Sequence, residues 1–256
     1  MSRRRRTIGT VLVTLAALLA STGSVVAQSV NRDAIVGLEY QLLYVALPLS
    51  LFVVMILVYA AVKFRDNDDP QPTAEDPALE ITWTIATAII LLFVGVAGYS
   101  VLVNPYVSPT QITEPGAGSG EAIESVDDLP ETDDEELVVR GYQWHWETTY
   151  PSHNITMEDE LVLPANQDVT IWITTEDVIH SLFIPDLGVK QDGYPGEYTR
   201  IRTFVYEPGE YEAVCTEFCG VGHSRMDADV VVLEQDEYEA WLEENEDSRA
   251  TAPDDP

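Results

Sequence analysis

Two uncharged apolar runs, Tyr40 to Val62 and Ile81 to Val103, limit what this chain can fold into more than any other feature. A helix needs about 20 such residues to cross the hydrocarbon core of a bilayer, and a soluble core helix needs fewer. The pair therefore predicts a membrane helical hairpin. The loop between the runs begins with Lys63 and Arg65 and then turns acidic and proline-rich from Asp66 to Pro77. These two cations are the only basic residues near either inner end, which places the loop in the cytoplasm. Upstream, Arg3 to Arg6, the apolar Val11 to Ala20 and the small-residue site Val25-Val26-Ala27 have the layout of a secretory signal peptide. Cleavage is expected after Ala27. A retained N-terminal helix is the alternative, weakened by the short run and by Ser21, Thr22 and Ser24. Signal and charge rule agree in placing the N-terminus and everything after Val103 outside.

Charge narrows the partners. Of the 256 residues, 13 are Lys or Arg and 44 are Asp or Glu, giving a formal charge of −31. The signal carries four arginines and no acid, so its removal leaves 9 basic residues and −35. Phosphates would be repelled, so nucleic acid is excluded as a partner. The acids are scattered through loops, strand ends and the tail, and Lys63 and Lys190 are the sole lysines. That distribution reads as adaptation to very high salt, as in a halophile, rather than as a docking patch for a basic partner.

After the expected signal (1–27), the N-terminal segment and hairpin occupy 28–107. Residues 108–136 are rich in Gly, Pro, Ser and acids and read as a solvated linker. From Leu137 to Glu234, short β-rich runs follow: Leu137-Val138-Val139, Val169 to Ile173, Thr199 to Tyr206 and Asp229 to Leu233. Turns at Leu163 to Asn166, Gly193 to Gly196 and Glu207 to Gly209 separate them, a spacing that predicts an antiparallel sandwich or barrel. Gln235 to Glu246 reads as an acidic helix leading into the tail, 235–256.

The chemistry concentrates in Cys215-Thr216-Glu217-Phe218-Cys219-Gly220-Val221-Gly222-His223-Ser224-Arg225-Met226, with a second imidazole at His180, 35 residues before Cys215. Thiolate, thioether and imidazole donors together select copper over the hard cations. A single blue-copper site would leave one thiolate over, and a Cys2His2 zinc site would leave Met226 without a role. Two coppers bridged by both thiolates use every donor. A Cys215–Cys219 disulfide is the bland reading of the cysteine spacing alone.

The pattern C-x-E-x-C-x-x-x-H-x-x-M, preceded by D-V-x-H-S at Asp177 to Ser181, resembles the CuA motif of cytochrome c oxidase subunit II. The likeness covers nearly the whole chain, with hairpin, aromatic strand, His segment and Cys loop in the family's order. It implies an all-β, cupredoxin-like Greek-key sandwich holding a mixed-valence dicopper centre. Cys215 and Cys219 would bridge the coppers, His180 and His223 would be terminal ligands, Met226 a weak axial ligand, and the Glu217 carbonyl the other axial donor. Gly141-Tyr142-Gln143-Trp144-His145-Trp146 resembles the family's aromatic segment, making Trp144 the residue that accepts electrons, while Trp146 fits core packing. The Glu217 carboxylate resembles a magnesium ligand at the contact with subunit I. Leu79 to Thr84 resembles the start of the family's second helix, which makes Glu80 a candidate for the mouth of a proton pathway. His145 and His153 match no metal position.

The resemblance implies subunit II of a respiratory terminal oxidase. The chain would take electrons from a cytochrome c or a blue-copper protein and pass them to a haem–copper subunit I. That partner reduces oxygen to water, coupled to proton translocation. Other oxidase subunits and membrane lipid complete the expected partners. No C-x-x-C-H occurs, so no c-type haem is expected on this chain. Competing readings are the CuA subunit of a nitric oxide reductase and a copper-delivery protein; the latter would need exposed, exchangeable ligands.

Overall fold

The computed structural model describes residues 28–69, 72, 74–108 and 132–250, with side chains to 246. The expected signal peptide, most of the expected linker and the last residues of the tail lie outside these. Helix α1 runs Val30–Phe64 and α2 runs Pro77–Leu102. Each begins upstream of its apolar run because a cap is available there. The Arg32 amide donates to Ser29 Oγ at 3.1 Å. Asp76 accepts from the Ala78 and Leu79 amides, both at 3.1 Å, with Pro77 in the first turn where its missing N–H costs nothing. The 35 residues of α1 span about 52 Å at about 1.5 Å each, more than the ~30 Å of a hydrocarbon core. Leu57, Leu92 and their apolar neighbours are exposed on both helices. Such surfaces are stable in lipid and not in water.

Ten strands follow: β1 Glu135–Tyr142, β2 His145–Tyr150, β3 Ile155–Glu158, β4 Glu160–Pro164, β5 Asp168–Thr175, β6 His180–Ile184, β7 Val189–Gly193, β8 Thr199–Phe204, β9 Gly209–Cys215 and β10 Asp227–Leu233. They form two five-stranded sheets, ordered β3-β2-β1-β5-β8 and β4-β10-β9-β6-β7. The result is a sandwich, but the antiparallel expectation needs correction. Strand β1 pairs parallel with β5, and β10 parallel with β4. In both pairs the chain passes through the other sheet before returning, which leaves the two strands pointing the same way. Pro164, expected in a turn, instead ends β4, and the turn falls at Ala165-Asn166, where Asn166 adopts a positive φ of 58°.

The core lies between the sheets. Leu137, Val139, Ile171 and Ile173 face Leu161, Leu163, Leu182, Ile184, Val230 and Val232, all essentially inaccessible. Each such side chain contributes on the order of 1.5–3 kcal/mol when fully buried. Helix α3 (Gln235–Ala250) closes one side: Tyr238 and Leu242 join the core, and Trp241 packs edge-on against Tyr150 at 5.0 Å. The Tyr150 hydroxyl donates to the Val162 carbonyl and accepts from the Val162 amide, which lets a phenol sit in the core.

Candidate metal centre

His180 opens β6 and Cys215 ends β9. These strands are neighbours, with Leu182 opposite Cys215, so the pairing itself brings the two ligand candidates together. The loop from Thr216 to Met226 then folds back, and the Cys215 amide donates to the Met226 carbonyl at 2.9 Å. This closure places the remaining donors over the sheet end. Cys215 Sγ and Cys219 Sγ are 3.9 Å apart, and both thiols are free. That separation is far beyond a disulfide bond of about 2.0 Å. His180 Nδ1 lies 3.8 Å from Cys215 Sγ and 3.1 Å from Met226 Sδ. His223 Nδ1 lies 3.5 Å from Cys219 Sγ, and Met226 Sδ is 3.7 Å from the same sulfur. The Glu217 carbonyl is 3.3 Å from Cys215 Sγ, while the Glu217 side chain is exposed.

Six donors thus converge, and four of their residues are deeply buried: His180 at 0%, Cys219 and Met226 at 2% and Cys215 at 6% exposure. Among the described residues, His180, Cys215 and Cys219 offer ligand atoms that all lie within 4.8 Å of one another. Two thiols, two imidazole nitrogens, a thioether and a carbonyl form a soft donor set that fits copper.

Several residues outside the predicted ligands shape this cluster. Asp177 Oδ1 lies 2.8 Å from His180 Nε2, an arrangement that presents Nδ1 to the sulfurs. The second oxygen of Asp177 accepts from the Gln143 amide at 2.7 Å. Burial, the largest influence on Asp177, works upward, but the bonds from His180, Val178 and Gln143 outweigh it and hold the carboxyl below its usual range. Burial likewise acts to raise the Cys215 thiol, yet the His180 bond and backbone donors bring it down. For Cys219, burial and then the charge of Cys215 push the thiol up.

Trp144 stands on the loop between β1 and β2, partly exposed, and its Nε1 donates to the Cys219 carbonyl at 3.1 Å. Gln143 Nε2 donates to the same carbonyl at 2.6 Å. Gly222 lies so close beneath the indole that a Cβ there would sit 2.3 Å from Trp144 Cδ2. Trp146 is fully buried and meets the His180 ring edge-on at 5.9 Å. Asp177, Gln143 and Gly222 stood inside the quoted motifs, and the three-residue spacing of Asp177 and His180 was the one available signal for the first. The structure places the other candidates elsewhere. Glu80 is exposed in the first turn of α2, at the opposite end of that helix from the sandwich. His145 stacks on Tyr142 at 4.8 Å, and His153 pairs with Glu246 at 2.7 Å, both apart from the cluster.

Comparison with known proteins bears on both halves of the chain. Residues 152–234 match the family model described as cytochrome C oxidase subunit II, periplasmic domain, and residues 19–101 match its transmembrane domain. The probable cytochrome c oxidase subunit 2 of Rickettsia bellii is 29% identical over 224 residues, covering 78% of this chain and 75% of the relative. That of Rickettsia felis is 28% identical over 224 residues, but the match spans only 64% of its length. Among solved structures, the periplasmic domain of subunit II of cytochrome oxidase from Bradyrhizobium japonicum aligns with 47% of this chain and 98% of its own, at 26% identity and a TM-score of 0.44. Hairpin and metal-loop domain answer to the two domains of one family, in the same order and over well over half of the sequence, and the chain belongs to the cytochrome c oxidase subunit II family.

Proposed function

We propose that the six-donor cluster holds two copper ions and receives electrons at Trp144 for transfer to an oxygen-reducing haem–copper subunit I. The observation that carries this reading is the free thiol pair, 3.9 Å apart, with one imidazole beside each sulfur. Cys215, Cys219, His180 and His223 would be the main donors that hold the ions, with Met226 and the Glu217 carbonyl as weaker ones. Bound copper supplies one-electron redox chemistry. The chain's own residues supply the rest. The sandwich fixes His180 and Cys215 on paired strands, so the donors hold one geometry. Burial excludes water, and Asp177 sets the ring of His180. Deep burial of four ligand residues also argues against exchangeable copper delivery.

Trp144 would accept electrons because its indole is partly exposed and hydrogen-bonded to the backbone carbonyl of Cys219, whose sulfur is one of the donors. The donor would be a cytochrome c or a blue-copper protein. The exposed Glu217 carboxylate would take part in a magnesium site at the contact with subunit I, and Glu80 would lie at the mouth of a proton pathway in that subunit. The hairpin makes the chain a two-pass membrane protein with its copper domain outside the cytoplasm. In the assembled oxidase, Trp144→Phe should slow reduction of the centre by its electron donor at least about tenfold, the scale on which groups positioned beside a metal site act. Copper absorption should be unchanged. A normal reduction rate in that variant would remove Trp144 from the path.

A further inference from the structure

The sandwich is fastened to α1 by a set of contacts that the copper chemistry does not use. The Tyr206 amide donates to the Gln28 carbonyl at 2.9 Å, and Ser29 forms a bridge with Val205. Ser29 Oγ donates to the Leu187 carbonyl in a fully buried contact. Asn31, 1% exposed, donates through Nδ2 to the Arg202 carbonyl at 2.9 Å and to the Tyr106 carbonyl at 2.6 Å. One buried amide thus ties together the start of α1, strand β8 and the segment after α2. Arg202 is the second hub. Its guanidinium forms two bonds to Asp134 at 2.6 and 2.7 Å, lies 3.1 Å from Asp168, and covers the Tyr106 ring at 5.1 Å. Gly188, at φ +64°, meets the Arg32 backbone where a Cβ would be 3.0 Å away, so α1 rests directly on the sandwich.

These contacts lie at the end of the sandwich away from the metal centre. Strand β6 starts at His180 in the centre and leads through Ile184 to Leu187 at the fastening. Strand β5 starts at Asp168, beside Arg202, and ends at Thr175 near Gly141, which packs against His180. At about 3.3 Å per step, the eight residues of β5 separate the two ends by roughly 23 Å, so a tilt of about 10° would move the centre by roughly 4 Å. We propose that Asn31 and Arg202 form a clasp that sets the orientation of the copper domain on the hairpin, and are positioning residues for onward electron transfer. This rests on the electron-transfer reading above. The step concerned moves one electron from the centre to the haem of subunit I and makes or breaks no bond, so its rate depends on separation and orientation.

The test uses the assembled oxidase, with the centre reduced by a flash from a ruthenium photoreductant, and the variants Asn31→Leu, Arg202→Gln and the milder Ser29→Ala. Copper absorption, paramagnetic signal and the rate of reduction of the centre should match the unaltered protein. Onward transfer should fall by about tenfold or more in the first two variants, the scale on which ångström misplacements act on a reacting pair. Amide exchange should rise in residues 28–33 and 199–206. A split of this kind does not arise from general destabilisation, which would move the copper signals as well. Unchanged onward transfer in all three variants, with exchange raised, overturns the clasp as a positioning device. Loss of the copper signal even in Ser29→Ala makes these residues folding elements and overturns it too. If the unaltered oxidase shows no reduction of a copper centre, the functional reading fails first, and the clasp's role falls with it.

Discussion

Met226 shows what a single residue does in this site. Its sulfur lies 3.1 Å from His180 Nδ1 and 3.7 Å from Cys219 Sγ, in a position only 2% exposed. Met226→Leu keeps volume and apolar character, so it should cost less than about 1.5 kcal/mol of stability. It removes the thioether from the donor cluster, so, if that sulfur contacts copper as proposed, the reduction potential of the centre should shift while copper stays bound. Potentiometry of the variant decides the point, and an unchanged potential would reduce Met226 to packing. The candidate donors that cluster here were legible in the sequence because copper chemistry favours a few residue types at fixed offsets. Asp177 and Gln143 were not. Their work consists of hydrogen bonds to His180 and to the Cys219 carbonyl, and nothing in a polar side chain's identity announces such a partner.

At the scale of elements, the site is made by strand pairing. Alignment of β6 with β9 brings His180 to Cys215, and the Cys loop is then held down by Trp144 from between β1 and β2. Gly222 is the contact point, since any side chain there would enter the indole. Gly222→Ala should therefore displace Trp144 or the loop, at a cost of about 1–3 kcal/mol. Thermal unfolding of the copper-loaded chain would show the loss, and a stability equal to that of the unaltered protein would mean that the two surfaces are not in contact. Four of the strands were readable because each carries a short run of β-branched or other apolar residues, such as Leu137-Val138-Val139 and Val230 to Leu233. Strands such as β3 and β7 were not, because Met157, Lys190 and Gln191 carry no alternating apolar signal; tertiary pairing alone makes them strands. The parallel pairings were hidden for the same reason, as strand direction depends on the path between sheets.

For the whole molecule, the question is how an outside domain is held over a membrane hairpin. Long apolar runs made the hairpin evident, whereas the fastening through Asn31 and Arg202 depends on partners up to 171 residues away, beyond any local pattern. The fastening has a pH signature. Burial, the largest influence on Asp134, acts upward, but the bonds from Arg202 and Thr170 prevail and lower its pKa. A lowered folded-state pKa stabilises the fold above the ordinary carboxylate range, and that contribution disappears as pH falls through the folded value. The unaltered chain should thus lose stability between about pH 5 and the lowered value of Asp134, and Arg202→Gln should flatten that part of the profile. Identical acid profiles for the two proteins would show that the pair contributes nothing.

Whether this chain carries a dicopper centre comes down to one count. The full-length chain, solubilised and loaded with copper, should bind two ions per molecule, with one unpaired electron shared between them in the paramagnetic resonance spectrum. One copper per chain, an ordinary mononuclear cupric signal, or a Cys215–Cys219 disulfide that binds no metal would contradict it.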